Sequence, residues 1–290
     1  MQDHFQLAPI RSEAELRAQA DELKALPNFQ ECVRRYTGDI ASFREAARPY
    51  GKLIANEDRF RVINFIFPLW AASLARGGSG ALTYGTIYEV CRRGEVTSRV
   101  LKNTLAMAVH LGFLTRTPNP SDRRSWLYSP TELMARFPHQ WLVPATLALD
   151  DLIPGHALTE RLERDPNLLI HFFLSAGREF DAGLQPAKLV PRFMHFCGHR
   201  EGAPLLAMSL LVAEMDGLPP PGRSEVAARY GLTKSQVAKV VVAGVELGFL
   251  STIDGVAHPT AAMREGNAEW VAVALAFLHH HLHPLKVGLS

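Results

Sequence analysis

The sequence predicts a mainly α fold with small β-hairpin wings, arranged as two tandem lobes related by internal duplication within one chain. Three observations carry this. The tetrapeptide LGFL occurs at Leu111–Leu114 and again at Leu247–Leu250, 136 positions later. At that offset residues 87–114 align with 223–250 without a gap, giving nine identities in 28, among them Glu89/Glu225, Val90/Val226, Arg93/Arg229, Thr97/Thr233 and Val109/Val245. Each copy also runs through the same order of signals: helix, short helix, turn, helix, two short strands. The match continues once loops are allowed to differ in length. Pro130-Thr131, Met134 and Trp141 match Pro259-Thr260, Met263 and Trp270 at an offset of 129, and Pro27-Asn28 and Gly38 match Pro166-Asn167 and Gly177 at 139. Co-linear matches in three blocks, with a tryptophan pair among them, argue against chance similarity between helix-rich segments.

In the first copy Asn56 is placed to cap a helix over EDRFRVINFIFPLWAASLAR, ending at Gly77-Gly78. Phe60, Ile63, Phe67, Trp70 and Leu74 recur at spacings of three and four, a core-facing stripe. Pro68 is expected to kink or divide that helix. A Gly/Ser loop leads to a short helix near Thr83–Arg93, and Gly94–Val96 forms a turn. Thr97 caps the next helix, Ser98–Leu111, which Gly112 ends. Phe113–Thr117 and Ser125–Tyr128 read as strands joined by a loop at Pro118–Arg124. The second copy repeats this with helices at Gly202–Met215, Ser224–Tyr230 and Lys234–Leu247, the last capped by Thr233. Its hairpin is minimal, Phe249–Ile253 and Val256–His258 around Asp254-Gly255. This is the element order of a winged helix-turn-helix. The organisation that follows is an N-terminal helical segment (1–55), winged-helix lobe 1 with a trailing helix (56–154), a linking helical segment repeating the first (155–200), and winged-helix lobe 2 with a trailing helix (201–290).

Composition narrows the class. At 290 residues, 47% hydrophobic and 21% charged, the chain suits a soluble globular protein with a substantial core. Its apolar runs are too short or interrupted to span a bilayer, and the first residues lack the apolar region of a signal peptide. The three cysteines, Cys32, Cys91 and Cys197, are odd in number and far apart, which fits a reducing cytoplasm. Net charge is +2, but residues 1–145 hold 19 Lys/Arg against 14 Asp/Glu, while residues 146–290 hold 12 against 15. If DNA is bound, the first half supplies more of the phosphate contacts.

The stretch LGFLTRTPNPSDRRSWLYSPTELM resembles the wing of the MarR (multiple antibiotic resistance regulator) family. The matching elements are Leu111–Leu114, a loop with Pro118 and Pro120, Asp122-Arg123-Arg124, the alternating Trp126–Tyr128, and Pro130-Thr131 opening a helix. The resemblance covers about residues 80–140; in the second copy, seven residues shorter at this point, the DRR is missing. It implies a cytoplasmic regulator whose recognition helix enters the major groove while a wing arginine reaches the minor groove. It also implies a dimer built on terminal helices and small apolar or phenolic effectors bound near the junction of dimer helices and DNA-binding lobe. Because this chain carries both copies, an intramolecular pseudo-dimer with an asymmetric operator is expected, and a further homodimer is compatible with it.

The candidate DNA-binding residues follow from residue type and place. Thr97, Ser98, Arg99, Lys102 and Asn103 open the helix where base contacts concentrate, with Thr233, Lys234, Ser235, Gln236 and Lys239 as their counterparts. Arg123 and Arg124, at the hairpin tip, suit a narrow minor groove, and Asp122 is expected to hold one of them through a charge-assisted bond. A solvated surface is the plainer alternative for each. Two histidine clusters compete for attention: His195, Cys197 and His199, and His279, His280, His281 and His283. Neither has a metal-site signature, and a histidine-rich helix end interacts with the helix dipole without an ion, so no metal and no cofactor are expected. No paired-carboxylate, nucleophile or phosphate-loop motif appears, so an enzyme is the least supported class. The expected function is a sequence-specific transcriptional repressor, ligand-responsive, on double-stranded DNA. The alternatives are a winged-helix protein-interaction scaffold and a plasmid replication initiator.

Overall fold

The computed structural model describes residues 12–47, 50–54, 57–198 and 200–282. Fourteen α-helices and five strands are found among them. The first half contains α1 (Glu13–Lys24), α2 (Phe29–Ala46), α3 (Gly51–Ile54), α4 (Glu57–Ala75), β1 (Leu82–Thr83), α5 (Tyr84–Arg93), α6 (Ser98–His110), β2 (Leu114–Asn119), β3 (Asp122–Pro130) and α7 (Glu132–Leu152). The second contains α8 (Leu158–Arg164), α9 (Pro166–Asp181), α10 (Pro191–Gly198), α11 (Ala203–Met215), α12 (Arg223–Tyr230), α13 (Lys234–Glu246), β4 (Leu250–Ile253), β5 (Val256–Pro259) and α14 (Ala261–Leu282). The protein is therefore mainly helical, with two small antiparallel sheets. No described helix is long and apolar enough to cross a membrane.

Local chemistry fixes the helix starts. The Thr97 hydroxyl accepts from the Val100 amide, and Thr233 forms a full capping box with Gln236. Both helices end at a glycine with positive φ, Gly112 at 75° and Gly248 at 77°. One set of bonds recurs at the two hairpins. The Thr131 hydroxyl donates to the Gly112 and Phe113 carbonyls at 2.7 and 3.0 Å, and the Thr260 hydroxyl donates to those of Gly248 and Phe249 at the same distances. Each threonine then caps the long helix that follows, through the amides of Met134 and Met263.

Several expectations need correction. Helix α4 is not divided at Pro68; it runs unbroken to Ala75. A proline removes one bond and clashes with one carbonyl, and the packed environment of α4 tolerates that loss. The Asn56 cap lies outside the described residues. The segment Pro118–Arg124 is not a loop, because β2 reaches Asn119 and β3 starts at Asp122, leaving a two-residue turn. Period-two patterning was hidden there by Pro118 and by a bulge: Pro118 pairs with Trp126 but Asn119 with Asp122, so three residues of β3 have no partner opposite. Strand β1 pairs with β3, Leu82 opposite Tyr128, which makes the first sheet three-stranded in the order β1-β3-β2. The second sheet has two strands. The residues where a third would lie include Pro219, Pro220 and Pro221, which donate no ladder hydrogen bonds.

The buried hydrophobic residues form one continuous cluster from Leu16 to Leu282. Its helix pairs follow a pattern. Helix α1 lies on α14 and α8 on α7; α2 lies on α11 and α9 on α4; α2 also contacts α7, as α9 contacts α14. Lys24 reaches Glu269 at 2.6 Å and the Arg17 guanidinium donates to the Leu189 carbonyl, tying the first helix to the second half of the chain.

Candidate nucleic-acid interface

Helix α6 presents Ser98, Arg99, Lys102 and Asn103 to solvent, and its cap Thr97 is exposed as well. Arg99 and Lys102 are three apart and share one face, as do Arg99 and Asn103 at four. Leu101, Thr104, Leu105 and Ala108 occupy the opposite, buried side. The amphipathic split leaves the polar residues at the helix start uncovered by any other part of the described chain.

At the hairpin, Asp122, Arg123 and Arg124 are all exposed, but they stand on β3 immediately after the turn rather than in a loop. The expected bond from Asp122 to an arginine side chain is absent. The Asp122 Oδ1 instead accepts from the Arg124 backbone N–H at 3.0 Å, because an Asx geometry two residues on satisfies the bulge's own amide first. Ser125 donates to the Asp122 carbonyl, and Asn119 donates to Ser125 Oγ. These short bonds knit the bulge together and use its polar atoms, leaving the two guanidinium groups outside.

Charge pairing separates these cations from their neighbours. On α5, Arg92 pairs with Glu89 at 3.1 Å and Arg93 with Asp181 at 2.7 Å. On α7, Arg136 pairs with Glu132. Arg99, Lys102, Arg123 and Arg124 enter no ion pair among the described residues, and neither does Arg116. Arg116 was missed in the sequence. It stacks over the Trp126 ring at 4.3 Å, and the strand register explains why: Arg116 faces Tyr128, so Trp126 is its diagonal neighbour. Alternation along LTRTPN was the available signal.

The second half carries a similar helix and hairpin, surfaced differently. Thr233, Lys234, Ser235 and Lys239 are exposed and Gln236 is half-buried in the capping box. Asp254 and Gly255 take φ of 50° and 78°, a tight turn that leaves no basic tip. Val242 and Val245 on α13, Ile253 and Val256 beside the turn, and Leu218 are all exposed.

Between the helices lies a cavity of about 570 Å³. Phe60, Trp141, Phe172, Phe173 and Trp270 line it, so these aromatic side chains enclose a space. Asn64 Oδ1 and Trp141 Nε1, on two lining residues, are buried with no hydrogen-bond partner among the described residues. The Arg44 guanidinium, also lining, sits over the Phe60 ring at 4.6 Å.

The histidine clusters resolve differently. On α10 His195 is exposed while Cys197 is buried, so the two do not converge, and His199 lies outside the described residues. On α14 the His279 ring stacks on His156, with 2.9 Å between Nε2 and Nδ1. His280 and His281 both approach Glu179 of α9, a partner no local pattern reveals. Burial alone would raise the Glu179 carboxyl; the two rings outweigh it and hold the group down at about 2. Burial pushes the His281 imidazole below its ordinary value. His283 is outside the described residues. Comparison of the chain with protein-family models, with characterised proteins and with solved structures gives no match.

Proposed function

We propose that the protein is a DNA-binding transcriptional repressor made of two winged-helix lobes that arose by duplication and fold as an intramolecular pseudo-dimer. The observation that carries this is the set of cations left without ion pairs among the described residues at one helix start and one hairpin, Arg99, Lys102, Arg123 and Arg124, near Arg92, Arg93 and Arg136, which are each paired with a carboxylate. Unpaired, exposed cations at a recognition-helix N-terminus and at a wing suit phosphate and groove contact. The bulge in β3 supports the wing reading, since bulges re-aim side chains that a regular strand would alternate.

The duplication draws support from the packing. If each element of the first half is exchanged for its counterpart in the second, α1 on α14 becomes α8 on α7, and α2 on α11 becomes α9 on α4. Both partners of each exchange are present, as a pseudo-twofold axis requires. The recurring Thr131 and Thr260 bonds agree. So does a sequence match that this exchange brings out: Pro68, Leu69, Ala71, Ser73 and Leu74 of α4 equal Pro204, Leu205, Ala207, Ser209 and Leu210 of α11, again 136 apart.

The aromatic cavity supports ligand responsiveness. Its size suits a small molecule, and the acceptor of Asn64 and the donor of Trp141 suit an apolar compound bearing a polar group.

The test is a salt-dependent shift of the DNA flanking the gene. Arg123→Ala with Arg124→Ala should weaken binding at least tenfold and reduce the salt slope by about 2, roughly one per arginine. Unchanged affinity in the double variant would sink the reading. A second reading is favoured for lobe 2 alone by its exposed Val242, Val245, Ile253 and Val256, which suit protein docking. Lys234→Ala with Lys239→Ala separates the two: DNA affinity falls if lobe 2 touches the duplex and holds if it docks a protein.

A further inference from the structure

We infer that Glu179, His280 and His281 bind a divalent transition-metal ion of the zinc class, clamped between α9 and α14. Ser175 and Glu179 lie one turn apart on α9 and share a face. His281 sits between them, with Nδ1 2.8 Å from Ser175 Oγ and Nε2 3.2 Å from Glu179 Oε2. His280 Nε2 meets the other carboxylate oxygen at 2.7 Å, a hydrogen bond. The 3.2 Å approach is an ion-pair distance whose alignment leaves Glu179 Oε2 and His281 Nε2, both buried, without a well-aligned hydrogen-bond partner among the described residues.

The Ser175 contact admits either tautomer; in the one that donates Nδ1–H to Ser175, neutral His281 turns the lone pair of Nε2 toward a carboxylate oxygen. Two electron-rich atoms facing each other inside a protein need a positive centre between them. A metal ion supplies it, and the Ser175 bond is then the outer contact that fixes the tautomer of a ligating histidine. The three donor atoms all lie within 4.8 Å of one another. An ion about 2.0–2.2 Å from nitrogen and oxygen donors needs them roughly 3–3.5 Å apart, which small side-chain rotations achieve. Two imidazoles and one carboxylate suit zinc, nickel or iron, whereas calcium and magnesium prefer oxygen alone. On binding, the ion displaces the proton that His280 now shares with Glu179, and that proton leaves to solvent. Glu179 is partly exposed, which gives the ion a way in. The inference is independent of DNA binding.

The experiment uses the untagged full chain, stripped with chelator and titrated with ZnCl2 by calorimetry. One ion per chain is expected, with a Tm that rises with zinc concentration. Glu179→Gln and His280→Ala should each weaken binding at least tenfold, while His171→Ala, exposed on the same helix, should not. Equal zinc affinity in all four proteins, or no binding by the parent chain, overturns the inference and leaves a hydrogen-bonded Glu–His pair only. Should the variants fail to fold, Co2+ added to the parent chain decides. Visible bands of a low-symmetry nitrogen/oxygen site, lost on adding zinc, uphold the inference, and a spectrum of free aqueous Co2+ overturns it.

Discussion

Gly38 and Gly177 are matched in sequence and stand mid-helix in α2 and α9, yet their surroundings differ. A Cβ at Gly177 would meet the Pro68 ring at 2.7 Å, whereas one at Gly38 meets nothing within 4 Å. The glycine at 177 thus lets α9 approach α4 at the proline, and the one at 38 has no such task. Gly177→Ala should destabilise by about 1–3 kcal/mol, because a rigid ring cannot give way. Gly38→Ala should stabilise by about 0.5–1 kcal/mol, the helix preference for alanine. Denaturant melts of the two variants check both signs, and a Gly177→Ala protein as stable as its parent would deny the close approach. The cysteines behave as buried apolar groups. Desolvation pushes the Cys32 and Cys91 thiols up to about 12, and the Cys32 Sγ lies 3.6 Å from the Ala148 carbonyl. A thiol that stays protonated below that value and is shielded from solvent reacts slowly. At pH 8 the folded chain should therefore consume almost no Ellman's reagent, and three equivalents once denatured, one for each cysteine.

At the scale of elements, much was readable because its signals are local. Thr97, Thr233, Gly112 and Gly248 are caps and stops whose chemistry acts within a few residues, and α6 and α13 stand within a residue of where those signals put them. The Asp254-Gly255 pair likewise implied the tight second hairpin, in which both residues take positive φ. Gly255→Val should cost about 1–2 kcal/mol, the left-handed penalty of a side chain there, and should loosen amide protection in β4 and β5 first. Protection unchanged in those strands would mean the turn does not hold them. What stayed hidden depends on partners far along the chain. Strand β1 is only two residues long and exists because β3, some forty positions later, offers it a ladder. The bulge that frees Arg123 and Arg124 is a matter of register, which no composition reveals. Glu179 carries no local mark of its histidine partners, and Arg116 shows its purpose only once Trp126 lies diagonally across from it.

For the whole molecule the decisive feature is that the N-terminal helices of each half pack on the other half. Leu16, Ala20 and Leu23 of α1 are buried where that helix lies on α14, and Leu158 and Leu162 of α8 are buried where it lies on α7. The longer helices cross over too, α2 onto α11 and α9 onto α4. Unfolding either half would therefore strip apolar cover from the other, at about 25 cal/mol for each Å² exposed. Two lobes joined by a linker would melt separately if each kept its own core. Here the core is continuous from α1 to α14, so neither half retains a complete one alone. The chain should unfold in a single transition, with tryptophan fluorescence and far-UV circular dichroism superimposing and the calorimetric enthalpy equal to the van't Hoff value. Gly177→Ala should move that whole transition rather than split it, since its contact with Pro68 joins the two halves. Two resolved transitions, one of them unmoved by the substitution, would mean that the halves fold independently and that the crossed helices contribute little to holding them together.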